Sequence, residues 1–374
     1  MALVLSGSTT ILTHATDTSN IGLGANAVDS ITTGDYNVGL GDGSGTAITT
    51  GVENTAVGYN SLNETTTASN NNAFGSETLR RNTTGGNNSA FGHQALNANT
   101  TASNNAAFGW RALNANTTGA NNTTIGYNAL ASNTTASENT AVGYQALVTN
   151  TTGANNIAIG GASLQLNTTG SNNTASGYGA LYSNTTGGQN TSSGYKALFS
   201  NTTGIDNTAF GKDALKANTT ANNNTAIGRN ALTATTTGAN NTALGFYALS
   251  QNTGHQNVAI GAGAMQYNTS AGSCTAVGYE AMNANTTGVN NVALGWGALK
   301  SNTTGTRNVA IGYLALEDNT TGTDNTAIGM EAHKNATTGS NNVAVGKGAL
   351  ADTSTASNNT AVGKGSLLTN STGS

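Results

Sequence analysis

Apolar and polar positions follow one pattern that repeats along almost the whole chain. A unit reading Asn-Thr-Ala-(Val/Ile/Phe/Leu)-Gly is followed by two variable residues, Ala-Leu, two more variable residues and Asn-Thr-Thr-Gly, as in residues 139–153. The glycine of this unit recurs every 17 residues from Gly24 to Gly363, except for one interval of 16 residues between Gly245 and Gly261. A period this strict predicts a solenoid in which each unit forms one coil.

Seventeen residues are too few for two helices and a turn, and they suit two short strands joined by two turns. In the coil around Gly143, residues 140–142 have strand propensity, the glycine interrupts the strand, and residues 150–153 have the composition of a turn. We therefore predict an all-β fold, a parallel β-solenoid of about 21 coils over residues 20–374. Residues 1–19 break the pattern and are predicted to form an N-terminal cap or attachment segment.

Two apolar pairs recur in each coil, represented by Ala141 with Val142 and Ala146 with Leu147. Neighbouring residues of a strand point to opposite faces, so a pair of apolar residues indicates burial on both faces. One face can pack inside the coil, and the other needs a second surface, most simply another copy of the chain. Stacked files of the large members should supply much of the stability, at about 1.5–3 kcal/mol per buried side chain. The first file includes Phe74, Phe91, Phe108, Ile125, Val142 and Ile159, and the second includes Leu62, Leu79, Leu96, Leu113 and Leu130.

The asparagine that opens each unit is the most regular polar position. Amides stacked at coil spacing can hydrogen-bond along the solenoid axis, as they do in asparagine ladders of cross-β structures. We predict a structural ladder rather than the alternative, a ligand-binding strip, because a binding site does not need some twenty copies. Representative members are Asn54, Asn88, Asn122, Asn139, Asn156, Asn207, Asn291 and Asn325.

The residue after the unit's glycine is often aromatic. Consecutive members should stack on one another at coil spacing. The favoured interpretation is a structural seam at the coil edge or at a subunit boundary, and the alternative is an exposed stripe that binds host glycans. This aromatic stripe comprises Tyr59, Trp110, Tyr127, Tyr144, Tyr178, Tyr195, Tyr279, Trp296 and Tyr313.

Composition and charge exclude several classes of protein. Charged residues make up 7% of the chain and the net charge is −4, which leaves no basic stripe for nucleic acid. The regular phase of the apolar residues argues against disorder. No apolar stretch is long enough to span a membrane, and the opening residues lack the basic region of a secretory signal.

Side chains able to carry chemistry do not converge in this pattern. His93, His255 and His333 occupy different phases of the coil, and neither Glu77 nor Glu280 has a carboxylate at its own phase in the next coil. The single Cys274 replaces a ladder asparagine and is expected to be buried rather than reactive. We therefore predict no catalytic site, no metal and no cofactor.

The unit at residues 54–58 resembles the Asn-Ser-Val-Ala-Ile-Gly motif of trimeric autotransporter adhesin heads, and the longer form resembles repeats in bacteriophage fibre proteins. The resemblance implies a homotrimer of left-handed parallel β-rolls. It further implies a structural fibre or appendage of a virion, which acts as a rigid spacer and attaches to the host. The implied partners are copies of this chain, a baseplate, tail or capsid protein bound through the N-terminus, and a host surface glycan. The 17-residue period is longer than that of typical adhesin-head coils, which implies a wider turn.

Two other functions remain as alternatives. A cell-surface adhesin or an extracellular filament subunit would have the same repeat. An ice-binding solenoid would need a flat array of threonines, and adjacent residues such as Thr151 and Thr152 would point to opposite faces if the chain were extended.

Overall fold

The structure, a computed structural model, describes residues 19–369 and confirms the predicted fold class. It is an all-β parallel solenoid of about 21 coils with a period of 17 residues. The coils belong to two compact units, divided between Gly187 and Gly188. The predicted N-terminal segment at residues 1–19 lies outside the described residues, apart from Ser19.

Each coil contributes one strand of three residues. The first unit contains β1 Ile21–Leu23, β2 Val38–Leu40, β3 Thr55–Val57, β4 Asn72–Phe74, β5 Ser89–Phe91, β6 Ala106–Phe108, β7 Thr123–Ile125, β8 Thr140–Val142, β9 Ile157–Ile159 and β10 Thr174–Ser176. The second contains β11 Thr191–Ser193, β12 Thr208–Phe210, β13 Thr225–Ile227, β14 Thr242–Leu244, β15 Val258–Ile260, β16 Thr275–Val277, β17 Val292–Leu294, β18 Val309–Ile311, β19 Thr326–Ile328, β20 Val343–Val345 and β21 Thr360–Val362.

Within each unit, consecutive strands pair in parallel and in register. Thr140 of β8 lies beside Thr123 of β7, so equivalent positions of the repeat stack directly on each other. Backbone N–H groups outside the strands also donate to neighbouring coils, as Leu147 does to the carbonyl of Ser163 at 3.0 Å. The short coil in the second unit keeps this register, because Thr242 pairs with Val258 across an offset of 16 residues. Nearly every segment of the coil is thereby tied to its neighbours.

The prediction of two strands per coil was wrong for the described residues, since each coil has one. The segment that contains Ala146 and Leu147 forms turns, with Gln145 at φ 52° and Leu147 at φ 55°. Left-handed residues placed two apart curl the chain and remove the alternation of faces that a strand would impose. Ala146 and Leu147 therefore both point inward, and both are fully buried.

The core is a narrow column of alanine and leucine side chains. At the centre of β8, Ala141 is fully buried, as are Ala146 and Leu147 farther along the same coil. Of the pair Ala141 and Val142, it is the alanine that packs inside the coil, so Val142 and its equivalents add nothing to the core of a single chain. In a strand only alternate residues face inward, and that place is taken by the alanine. The large residue faces outward, so that Ile125 remains 47% exposed.

Candidate functional site

The predicted asparagines line the interior of the solenoid. Asn122 shows the geometry: its backbone N–H and its Nδ2 both donate to Oδ1 of Asn105, at 3.0 and 3.1 Å. Nδ2 also donates to the carbonyl of Ala136 at 3.0 Å, so the amide joins three successive coils. All eight representative asparagines are completely buried, which leaves no surface for a ligand. The structure thus places them where they bind the chain to itself.

A second column of asparagines, which sequence reasoning missed, lies inside the same coils. These residues open the Asn-Thr-Thr-Gly turns, as Asn133 does, and are fully buried. Nδ2 of Asn133 donates to Oδ1 of Asn116 at 2.8 Å and to the carbonyl of Ala136 at 2.9 Å. The sequence signal was present, because an asparagine recurs at this phase in most coils, but its turn-like context suggested a surface location.

Cys274 interrupts the first column and takes over part of its bonding. Its backbone N–H donates to Oδ1 of Asn257 at 3.1 Å, and its thiol lies 3.3 Å from the carbonyl of Gly288. Burial raises the pKa of the Cys274 thiol. The thiol is a weak donor, and it has no amide oxygen to offer the backbone of the next coil.

We expect Cys274→Asn to stabilise the protein by about 1–2 kcal/mol, because it restores two buried amide hydrogen bonds at about 1 kcal/mol each. The shift of the urea unfolding midpoint measures this gain. Cys274→Ser is the matched control: it changes the polarity but cannot reach both neighbouring coils. A midpoint for Cys274→Asn at or below that of the unchanged protein would show that the ladder adds no stability.

The aromatic stripe lies on the outside of the coils, with its members 38–59% exposed. In the first unit, the rings of Trp110 and Tyr127 stack at 4.7 Å, and those of Tyr127 and Tyr144 at 5.5 Å. In the second unit, Trp296 stacks between Tyr279 and Tyr313, at 5.9 and 5.2 Å. Since these planes lie within 8–19° of one another, the rings cover each other's faces and present mainly their edges to solvent.

The other predicted members of the stripe occupy the same position in their coils without forming one continuous stack. Tyr59 stands between coils that carry Asp42 and Ser76 at this position, and Tyr178 follows Gly161. Tyr195 is flanked by cations, with Nζ of Lys196 at 5.2 Å and Nζ of Lys212 at 5.7 Å from its ring. The stripe is therefore a set of short runs separated by small or charged residues.

A second outward feature is the strand face, which we define as the third residue of each strand. In the first unit it is a column of nine large apolar side chains that ends at Ser176, and Ile159 is 45% exposed there. In the second unit a column of the same kind begins after Ser193 at Phe210, which is 60% exposed. The described strands contain no charged residue, whereas lysines, arginines and carboxylates lie at the corners of the coils. Absence of charge beside exposed large apolar groups is typical of a surface that becomes buried. The members are Leu23, Leu40, Val57, Phe74, Phe91, Phe108, Ile125, Val142 and Ile159 in the first unit, and Phe210, Ile227, Leu244, Ile260, Val277, Leu294, Ile311, Ile328, Val345 and Val362 in the second.

The titratable residues form pairs and single sites. Nζ of Lys300 lies 2.8 Å from Oε2 of Glu280, and the hydrogen bond from Lys300 lowers the pKa of this carboxyl. His333 replaces a core leucine: it is fully buried, and neither ring nitrogen has a hydrogen-bond partner. Across residues 19–369, histidine, cysteine and carboxylate side chains form no group of three that could hold a metal ion.

Neither membrane helices nor known relatives assign a function. In the part of the chain that the structure describes, no helix has the length and apolarity needed to cross a bilayer. The chain matches no protein-family model, no curated protein and no solved structure.

Proposed function

We propose that this chain is a structural protein that forms the shaft of a fibre or appendage on a virion. The shaft serves as a spacer and mediates attachment to the host. The strand face is the observation that supports this most, because its exposed apolar column needs a covering surface along its length. A second and third copy of the same chain can supply one by symmetry, since equivalent faces of identical coils match in spacing. The resemblance to phage fibre repeats supports the trimer and the virion location.

The interior of the solenoid supports the same proposal. The buried asparagines hydrogen-bond from coil to coil, and the alanine and leucine column leaves little space for a substrate. Repeat proteins of this kind gain length by adding coils, because each coil contacts only its neighbours. A cell-surface adhesin or an extracellular filament subunit stays as the alternative, since it would use the same shaft. Ice binding is supported less. A threonine hydroxyl of the turns is already engaged within the chain, since Oγ1 of Thr151 donates to the carbonyl of Thr168 at 3.1 Å.

Immunogold electron microscopy tests the location. Antibodies raised against the purified protein are applied to particles released from cells that carry the gene at its natural locus. We expect gold on appendages of virions. Label on the cell surface or on extracellular filaments, with none on virions, would instead favour the adhesin or filament alternative.

We expect Ile159→Asp to break the assembly into single chains, because a charge would be buried without a partner in the covered strand face. Sedimentation velocity should show a loss of association of tenfold or more. Thr152→Asp, on an exposed turn of the preceding coil, is the matched control and should leave the assembly intact. Equal association of both variants, with unchanged circular dichroism, would place the interface elsewhere.

A further inference from the structure

The aromatic stripe of the second unit is interrupted by a notch. At this position Phe246 is followed one coil later by Ala262 and two coils later by Tyr279. The next residue of the middle coil is Gly263, so two neighbouring positions are small. A cleft of about 140 Å³ opens here, with Tyr247 and Gln266 also in its lining. The missing side chain of one coil thus becomes a gap between two aromatic walls.

The outer faces of both walls are already covered. The guanidinium of Arg229 lies 5.8 Å from the ring of Phe246, and Trp296 stacks on Tyr279 at 5.9 Å. Arg229 and Trp296 come from the coils beyond the notch. Phe246 and Tyr279 both line the cleft, where the ring of Tyr247 packs perpendicular to that of Phe246 at 4.4 Å between centroids.

The width of the notch selects the thickness of its occupant. Coils are about 4.8 Å apart, so walls two coils apart are separated by about 9.5 Å. Contact between carbon atoms takes about 3.5–4.0 Å on each side, which leaves about 2 Å for the ligand itself. All atoms of a flat aromatic ring lie in one plane and fill none of this depth, whereas the puckered ring of a pyranose and its axial substituents fill more of it.

Polar groups at the rim match the hydroxyl groups of a sugar. The carboxylate of Glu280 borders the cleft and is held by Nζ of Lys300 at 2.8 Å. A carboxylate accepts hydrogen bonds, and the amide of Gln266 both donates and accepts. Two apolar walls with a few convergent polar groups make up the usual composition of a small-ligand site.

We propose that the notch at Ala262 binds one hexopyranose residue of a glycan. The sugar ring lies between Phe246 and Tyr279, and its hydroxyl groups hydrogen-bond to Gln266 and Glu280. The interruption of the stripe at Gly161 differs, because a Cβ there would already lie 3.5 Å from the ring of Tyr178. The inference does not depend on the virion location, and a shaft without this site would still be a shaft.

Saturation-transfer difference NMR on the full chain tests the site. The probes are the methyl pyranosides of glucose, galactose, mannose and N-acetylglucosamine, with p-cresol as an aromatic probe. Ala262→Tyr fills the notch with the residue that many coils carry at this position, and Phe246→Ala removes one wall. Tyr127→Ala, within a stacked run of the first unit, is the matched control.

We expect transfer to the ring protons of at least one pyranoside, reduced fivefold or more in Ala262→Tyr and Phe246→Ala and unchanged in Tyr127→Ala. Transfer to no pyranoside, or equal transfer with Ala262→Tyr, would overturn the proposal. Transfer to p-cresol alone would overturn it in favour of an aromatic ligand. None of these outcomes bears on immunogold labelling of virions, so failure of the sugar site and failure of the proposed function are distinguishable.

Discussion

Replacement of His333 by leucine will stabilise the protein at pH 7 and will remove much of its sensitivity to acid. His333 occupies a position that holds leucine in most coils, and it is buried with both ring nitrogens unpartnered. A buried polar group without a hydrogen bond costs about 1–3 kcal/mol, and leucine avoids that cost. The urea unfolding midpoint at pH 7 should rise accordingly.

The effect grows as the pH falls. Burial lowers the pKa of His333 from 6.5 to about 4, so the unfolded chain binds a proton at a pH where the folded chain does not. The part of the unfolding free energy that depends on neutral His333 is therefore fully present above about pH 6.5 and is lost as the pH falls towards 4. The difference between the two pKa values corresponds to a loss of about 3 kcal/mol in the free energy of unfolding, at about 1.4 kcal/mol for each pH unit.

Urea unfolding of the unchanged protein and of His333→Leu at pH 7 and pH 4.5 measures both effects. His93→Gln is the control, because His93 is exposed and its replacement affects no buried site. If His333→Leu and the unchanged protein lost the same stability between these two pH values, the buried histidine would not be the cause.

Replacement of Gly143 by alanine will destabilise the protein by about 3 kcal/mol. Gly143 has φ 136°, a conformation that disfavours any residue with a Cβ, and a Cβ there would lie 2.7 Å from the carbonyl carbon of Gly160. Left-handed strain costs about 1–2 kcal/mol, and forcing a methyl group against backbone adds about 1–3 kcal/mol. A lower urea midpoint measures the loss.

Gly153→Ala separates these two causes. A Cβ on Gly153 would lie 2.2 Å from the carbonyl oxygen of Gly170, which is closer still, but its φ lies outside the left-handed range. Alanine already occupies this position in other coils, at Ala102 and Ala136, so small shifts relieve the contact. We expect a loss below 1 kcal/mol for Gly153→Ala. Equal losses for the two variants would show that the left-handed backbone is not the main constraint.

The period and the stacked asparagines could be predicted because both depend on identical residues falling at identical phases. Once each unit is one coil, Asn122 must lie beside Asn105 and Asn139, and a short amide side chain can reach its equivalent in the next coil. The parallel register follows for the same reason. This part of the fold is a direct consequence of repetition.

The path of the chain within one coil could not be predicted in the same way. Leucine rarely adopts positive φ, so nothing in the pair Ala146 and Leu147 indicated that the chain turns there. Assignment to a strand then forced one of the two residues outward. The cost of the left-handed leucine is offset by its complete burial against the neighbouring coils, which is a tertiary effect.

The notch also required the structure. Ala262 reads as a small residue in a tolerant column, and the sequence pattern emphasises the aromatic positions rather than the gap between them. Stacking showed that aromatic faces inside a run cover each other. An interruption such as Ala262, by contrast, separates two aromatic residues that would otherwise lie in adjacent coils.

Multi-angle light scattering on the purified full-length protein tests the central claim, that copies of this chain cover its apolar strand face. The account predicts a mass three times that of one chain, constant over a wide range of protein concentration. The mass of a single chain, at every concentration at which the protein is folded, would contradict it.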